Sequence, residues 1–163
     1  MNKKDAKKEI IGLLNEVLCA ELTAINQYFL HSKLCAHWGY AVLDRVAMSQ
    51  SVGEMKHAQM ITERVLFLDG MPNLQKLGKV LVGESVLEQM ELDRNLEADA
   101  IERLNIGIAL CHKHGDHGSR MLLEQILSSE EAHYDWLDQQ VKLITSLGEA
   151  NYLTQKITAA APA

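Results

Sequence analysis

The sequence predicts an all-α fold: a bundle of four long helices, a long crossover between the second and third, and a short fifth helix at the C-terminus. Three observations carry that reading. Only two prolines, Pro72 and Pro162, occur in 163 residues, so long stretches can keep an unbroken helical hydrogen-bond ladder. Apolar residues recur at helical spacing, and no segment sustains the alternation of a strand. The chain also repeats itself: a shift of 76 residues lays Glu21 on Glu97, Gly39 on Gly115, Glu54 on Glu130 and His57 on His133. Residues 1–163 read as a single domain, long enough to enclose one substantial core.

The elements follow in order. A first helix over about 5–37 ends at Trp38-Gly39, where glycine supplies a stop. A second over about 40–68 ends at the breaker Asp69-Gly70-Met71-Pro72. The third, about 85–114, opens on Ser85 and Glu88, a capping box, and closes at Gly115. The fourth, about 116–147, stops at Gly148, and an apolar tail over about 149–159 reads as the fifth. The second helix is ~42 Å long at 1.5 Å per residue. About fifteen extended residues reach at most ~50 Å, so the connection from 69 to 84 can traverse the whole bundle.

The repeat has a chemical content. In each half a lone Glu precedes the turn glycine by 18 residues, and the Glu and His of a Glu-x-x-His pair follow it by 15 and 18. Folded as antiparallel pairs, the helices put the lone Glu ~27 Å below the turn and the paired Glu and His at ~22 and ~27 Å, on one face. Glu21 then meets Glu54 and His57, and Glu97 meets Glu130 and His133. Two Glu from two helices plus Glu-x-x-His from two others is the known ligand set of ferritin-like di-iron bundles. A single Glu-x-x-His is usually a surface pair; duplication with two further Glu at matching heights argues for a metal site. Four carboxylates packed inside a bundle repel one another and resist burial, and two divalent ions cancel their charge. Hard carboxylates with one imidazole per ion suit iron or manganese, whereas a closed structural zinc site leans on cysteine. Glu54 and Glu130 are assigned as bridges, with Glu21 and His57 completing one iron and Glu97 and His133 the other. Tyr28, seven residues past Glu21, can hydrogen-bond a ligand or relay an electron, or serve as a core tyrosine with a satisfied hydroxyl. Trp136 reads as packing.

Composition narrows the remaining classes. A formal charge of −6 argues against a general nucleic-acid binder. Three cysteines, Cys19, Cys35 and Cys111, include no Cys-x-x-Cys, which suits a reducing cytoplasm rather than a disulfide framework. No apolar run is long enough to span a bilayer, and the charged start is not followed by a signal-peptide core. The expectation is a cytoplasmic protein with no membrane partner.

Ala20 to His31, Gly53 to Ala58, Ile61 to Leu68 with Gly70 to Gln75, Glu130 to His133 and Asn151-Tyr152-Leu153 closely resemble bacterioferritin, over about residues 8–157. The resemblance implies a hollow shell of 24 subunits, built from dimers, that oxidises ferrous iron with O2 or H2O2 and stores it as a ferric mineral. The six residues derived above coincide with that family's ferroxidase positions. It also implies haem b between subunit pairs, with Met55 of each as axial ligand, and a ferredoxin as electron donor for iron release. On its own, Met55 sits ~100° round from Glu54, pointing away from the iron-facing stripe, where a Met is ordinarily packing. Two stripes, Leu22, Ile25, Asn26, Phe29 and Met48, Val52, Met55, Lys56, would flank such a haem or form a dry dimer interface.

The chain departs from the family pattern at three places. Ser49 and Gly53 stand where many relatives carry His and Asp, which puts in question the route from site to cavity. Gly53 within a helix costs about 1 kcal/mol against Ala. Met48 stands where Tyr is common beside the haem. His112, His114 and His117 cluster at the third turn and read as a solvated turn rather than a ligand face. Two other readings use the same bundle. A rubrerythrin-like peroxidase would usually carry a paired Cys-x-x-Cys module, lacking here, and a haem-binding structural shell subunit sits poorly with six intact ligands.

Overall fold

Every long helix of the computed structural model ends where its sequence supplies a reason. It describes residues 3–157, as α1 (Lys3–His37), α2 (Ala41–Phe67), α3 (Val86–His114), α4 (His117–Leu147) and α5 (Glu149–Thr154). The predicted tail helix is shorter than expected. The Lys156 carbonyl accepts from Val42 N–H at 3.2 Å, so the backbone leaves the helix to satisfy a donor at the uncapped start of α2. Residues 158 and 159 of the predicted element lie outside the described residues. At Gly115, φ of +70° lets Gly115 N–H reach the His112 carbonyl and Asp116 N–H that of Cys111, which closes α3. Ser85 accepts from Glu88 N–H at 3.2 Å as predicted, but the Glu88 carboxylate returns to Glu84 N–H, one residue earlier than a standard box.

α1 packs antiparallel on α2, and α3 on α4; the two pairs close into one bundle. Its apolar core is divided in two. One cluster gathers Leu14, Leu18, Ile61, Leu104, Leu123 and Ile126; the other gathers Leu43, Val86, Leu137, Ile144 and Tyr152. Between them lies a belt of buried polar residues, including Glu21, Gln27, His31, Glu54, His57, Asp93, Glu97 and Glu130. Each fully buried Leu or Ile stabilises the fold by roughly 1.5–3 kcal/mol, so the two apolar plugs carry the cost of the belt and keep bulk water from its ends.

The crossover, residues 68–85, is fastened along α1. Asn15 Nδ2 donates to the Met71 carbonyl, and its Oδ1 accepts from Asn73 N–H. Further up, Gly78 N–H donates to Thr23 Oγ1 at 2.8 Å, Leu81 N–H to Gln27 Oε1 at 3.0 Å and Gly83 N–H to His31 Nε2 at 3.1 Å. Thr23, Gln27 and His31 recur every four residues on one face, so a single helical stripe supplies acceptors for a segment with no ladder of its own. His31 Nδ1 lies 2.9 Å from Asp93 Oδ1, which also accepts from Gln27 Nε2 at 2.9 Å. Because Nε2 accepts, Nδ1 carries the ring proton and donates to Asp93.

Two glycines give opposite forecasts. α2 runs through Gly53, where an added Cβ meets nothing within 4 Å, so Gly53→Ala should raise unfolding stability by up to about 1 kcal/mol. At Gly83 a Cβ would lie 2.5 Å from Gln89 N, so Gly83→Ala should cost roughly 1–3 kcal/mol. Guanidinium unfolding midpoints at unchanged m-value would check both.

Candidate metal centre

Six residues from the middle of four helices meet at the belt. Glu21, Glu54, His57 and Glu130 form one group and Glu54, Glu97, Glu130 and His133 a second, each with ligand atoms within 4.8 Å of one another. Glu54 and Glu130 belong to both. The helical register explains the convergence: in each Glu-x-x-His pair the two side chains lie one turn apart on the same face of α2 or α4. The four carboxylates are nearly sealed, at 1–4% exposure.

The contacts crowd around shared points. His57 Nδ1 lies 3.0 Å from Glu54 Oε2, 2.9 Å from Glu130 Oε1 and 3.4 Å from Glu21 Oε2. Its one Nδ1 proton serves Glu54; the Glu130 contact lies off the ring N–H direction, and both Glu130 oxygens, Glu54 Oε1 and His133 Nδ1 make no hydrogen bond. His133 Nδ1 stands 3.4 Å from Glu130 Oε2 and 3.5 Å from Glu54 Oε1. Buried acceptors without donors are costly, and carboxylates arranged this way are suited to cations. Tyr28, wholly buried, donates its hydroxyl to Glu97 Oε1, so it is at once a satisfied core tyrosine and a partner of a candidate ligand.

Electrostatics within the cluster divides the carboxyls. Burial, with Glu54 and Glu130 nearby, pushes Glu21 well above the usual carboxylate range. Burial and the charges of Glu130 and Glu54 do the same to Glu97. Burial also acts to raise Glu54, but the close imidazoles of His133 and His57 outweigh it and bring that carboxyl down to about 2. For His57 burial lowers the imidazolium, and Glu130, Glu21 and Glu54 together push it up to about 12. His133 is likewise carried up to about 9 by Glu130 and Glu54, against burial.

Other residues singled out from sequence fall as follows. Met55 is 56% exposed on α2, and Val52 and Phe29 are 44% and 51% exposed. Leu22 and Ile25, of the predicted flanking stripe, are partly buried against the apolar core, and the Asn26 amide bonds the Leu22 carbonyl. Ser51 Oγ donates to the Ile25 carbonyl at 2.9 Å, which fixes the α1/α2 register. Met48 is half-buried, Ser49 is exposed and Trp136 packs against the upper apolar cluster. The three turn histidines do not converge: His114 Nε2 pairs with Glu9 at 2.7 Å, while the exposed His112 and His117 rings meet edge-on at 6.5 Å. Gln27, His31, Gln89 and Asp93 belong to the polar belt but were missed from sequence. Their signal was the four-residue spacing of Thr23, Gln27 and His31 on one face of α1, with Asp93 one turn before Glu97.

The ferritin-like domain matches residues 11–147. A bacterioferritin of Mycobacterium tuberculosis, BfrA, is 45% identical over 150 residues, 92% of this chain and 94% of its own length. The bacterioferritin of Streptomyces coelicolor is 47% identical over 154 residues, 94% of this chain and 92% of its own, and that of Brucella melitensis is 38% identical over 144. The chain belongs to the bacterioferritin family. That membership places it among iron-storage proteins, and the carboxylate and imidazole groups of this bacterioferritin bundle are compatible with a di-iron site. No helix among the described residues is long and apolar enough to cross a membrane.

A pH dependence follows from the imidazoles. At pH 7 both His57 and His133 hold their protons against the surrounding carboxylates, and a metal ion needs the bare nitrogen. Loading two divalent ions at pH 7 should therefore release one proton from each imidazole, and affinity should rise with pH through about 9, where His133 deprotonates unaided, and on toward about 12, where His57 does. Calorimetric titration in buffers of different ionisation enthalpy counts those protons; a count of zero contradicts the assignment. Stability without metal should move oppositely. The raised imidazoles contribute fully below about 6.5, the unfolded value. That contribution is lost as pH climbs through about 9 for His133, so the metal-free melting point should fall over this range and metal should restore it.

Proposed function

We propose that the chain is a ferroxidase subunit. Two ferrous ions bind to the two overlapping groups, Glu54 and Glu130 bridging, with Glu21 and His57 completing one and Glu97 and His133 the other. The observation that supports this most directly is the shared pair: Glu54 and Glu130 belong to both groups, with buried oxygens that have no donor. Each ion gives up one electron. Two electrons and two protons convert O2 to H2O2, or H2O2 to two waters, so either oxidant balances the step. Oxidation adds two positive charges, which oxide or hydroxide from water offsets. Protons leaving His57 and His133 on loading make each imidazole a neutral donor. Tyr28 holds Glu97 in place through its hydroxyl. The ferric product then passes to the interior of a 24-subunit shell, as the family resemblance implies.

The same resemblance implies haem b held by Met55 from each of two subunits. The chain's residues fit half of such a pocket, because Met55 offers an exposed thioether on α2, with Val52 on α2 and Phe29 on α1 also exposed. Haem supplies a one-electron path for reducing stored iron; the protein's part is to present the thioether and exclude water with those apolar neighbours. A small ferredoxin is the donor proposed to feed it.

Glu130→Ala should slow the rise of ferric absorbance after ferrous addition by at least tenfold, since it removes a bridge from both ions. An unchanged oxidation rate would overturn the ferroxidase reading. Met55→Leu should abolish the haem absorption bands while leaving iron oxidation intact; haem retained after that change excludes Met55 as ligand.

A further inference from the structure

His112, His114 and His117 gather at the α3/α4 turn, far from the candidate centre. His112 lies fifteen residues past Glu97, ~22 Å along α3, and His117 thirteen before Glu130, ~20 Å along α4. From sequence the cluster reads as a solvated turn; the fold splits it. The His114 side chain is 5% exposed, and its Nε2 pairs with Glu9 at 2.7 Å. His112, in the last turn of α3, and His117, the first residue of α4, both stay exposed, and their rings approach edge-on with centroids 6.5 Å apart. The backbone between them is fixed. Gly115, at φ +70°, returns its N–H to the His112 carbonyl, and Asp116 N–H bonds the Cys111 carbonyl. The Asp116 carboxylate accepts from Ser119 N–H, Ser119 Oγ and Arg64 Nη2, so the turn's own acid is already engaged. One ion with nitrogens at ~2.1 Å holds two imidazole centroids roughly 4.6 Å apart at a right angle and roughly 6.5 Å apart when the rings oppose each other. The observed spacing stands at the outer end of that range, and exposed side chains change rotamer within picoseconds to nanoseconds, which covers the rest. Imidazole nitrogens without a carboxylate suit late first-row ions over the hard-ligand set of iron, and Cu(II) binds such donors most tightly.

We propose that His112 and His117 chelate a late divalent transition ion, Cu(II) foremost, at an exposed second site with one ion per chain. The site goes beyond the ferroxidase reading and stands independently of it. Each ion of the centre is assigned one imidazole among buried carboxylates, whereas an ion at the turn has two imidazoles, with water completing its coordination. The nitrogen count therefore tells the two apart. Exposure also makes the turn site exchangeable with solvent, while the carboxylates of the centre are nearly sealed.

The test titrates the assembled, metal-stripped protein with Cu(II) alone, counts bound copper by equilibrium dialysis and reads its nitrogen couplings by electron paramagnetic resonance. His112→Gln/His117→Gln should bind one Cu(II) per chain fewer than the wild type, or hold that ion at least tenfold more weakly. The signal lost should be the one coupled to two imidazole nitrogens. Either single change should give the same loss, because a lone exposed imidazole is not a chelate. His114→Gln should keep the full copper count, since Glu9 already engages that ring. Metal-free melting temperatures of all variants should match the wild type, as the substituted pair is exposed. Equal copper in the wild type and the double variant, or a two-nitrogen signal that survives the double change, would overturn the site. So would a loss in His114→Gln as large as that of the double variant.

Discussion

Four carboxylates buried at one level of a helical bundle set the terms for everything around them. At roughly 4 Å, like charges repel by about 4 kcal/mol even at an effective dielectric of 20, and each also loses its hydration. The fold answers in two ways. It surrounds the acids with His57 and His133, whose protons are held tightly by the same field, and with the Tyr28 hydroxyl on Glu97. It also closes the belt above and below with apolar clusters, so the helices cannot separate at the site without exposing Leu14, Leu18, Leu43 and Ile144. Protons are the weaker solution: Glu21 and Glu97 are pushed toward their neutral forms, and two imidazolium charges do not keep all four carboxylates ionised. A pair of divalent ions does, which is why the same geometry that strains a stripped bundle serves an iron-storage family.

The crossover is part of that solution. Joining two similar helix pairs requires a segment that runs the length of the bundle with its backbone groups unpaired by any ladder. Thr23, Gln27 and His31 accept those donors from one stripe of α1, and Asp93 of α3 orients His31 and Gln27 in turn. The connection is thereby tied to α1 and α3, the two helices that bring Glu21 and Glu97 to the centre. Arg64 at the end of α2 does comparable work at the other end, bonding Asp116 and Ser119 at the start of α4.

Much of this was legible beforehand because helix period and repeat spacing are properties of the chain alone. Glu21, Glu54, His57 and their counterparts could be placed at one height by counting residues at 1.5 Å each, and the glycine stops at 39, 115 and 148 adopt positive φ as their residue type allows. What escaped was decided across the bundle. Gln27, His31 and Asp93 looked like ordinary polar positions because their partners lie more than fifty residues away. The α1/α2 register pinned by Ser51 sets how far Leu22 and Ile25 turn toward the core. The early stop of α5 depends on an unmet donor at Val42, which no local pattern in the tail could reveal.

The tandem origin of the site makes its asymmetries informative. Shifted by 76, the α1 stripe Thr23, Gln27, His31 falls on Asp99, Arg103 and Gly107, and Tyr28 falls on Leu104. Only one helix of the pair can carry the crossover, so α1 keeps the acceptors while the matching face of α3 is released for other use. Asp99 and Arg103 take positions lining a solvent-connected cavity; Gly107 lets Leu13 and Leu123 close in, since a Cβ there would meet them at 2.9–3.0 Å. Glu97 gains a tyrosine hydroxyl that Glu21 lacks, because Leu104 fills the equivalent space with hydrocarbon. Two ligand groups that are equal by sequence are therefore unequal in restraint: Glu97 accepts from the Tyr28 hydroxyl, whereas Glu21 stands 3.4 Å from His57 Nδ1. Duplication supplied the ligands in pairs, and the single crossover then made the two halves of the centre different.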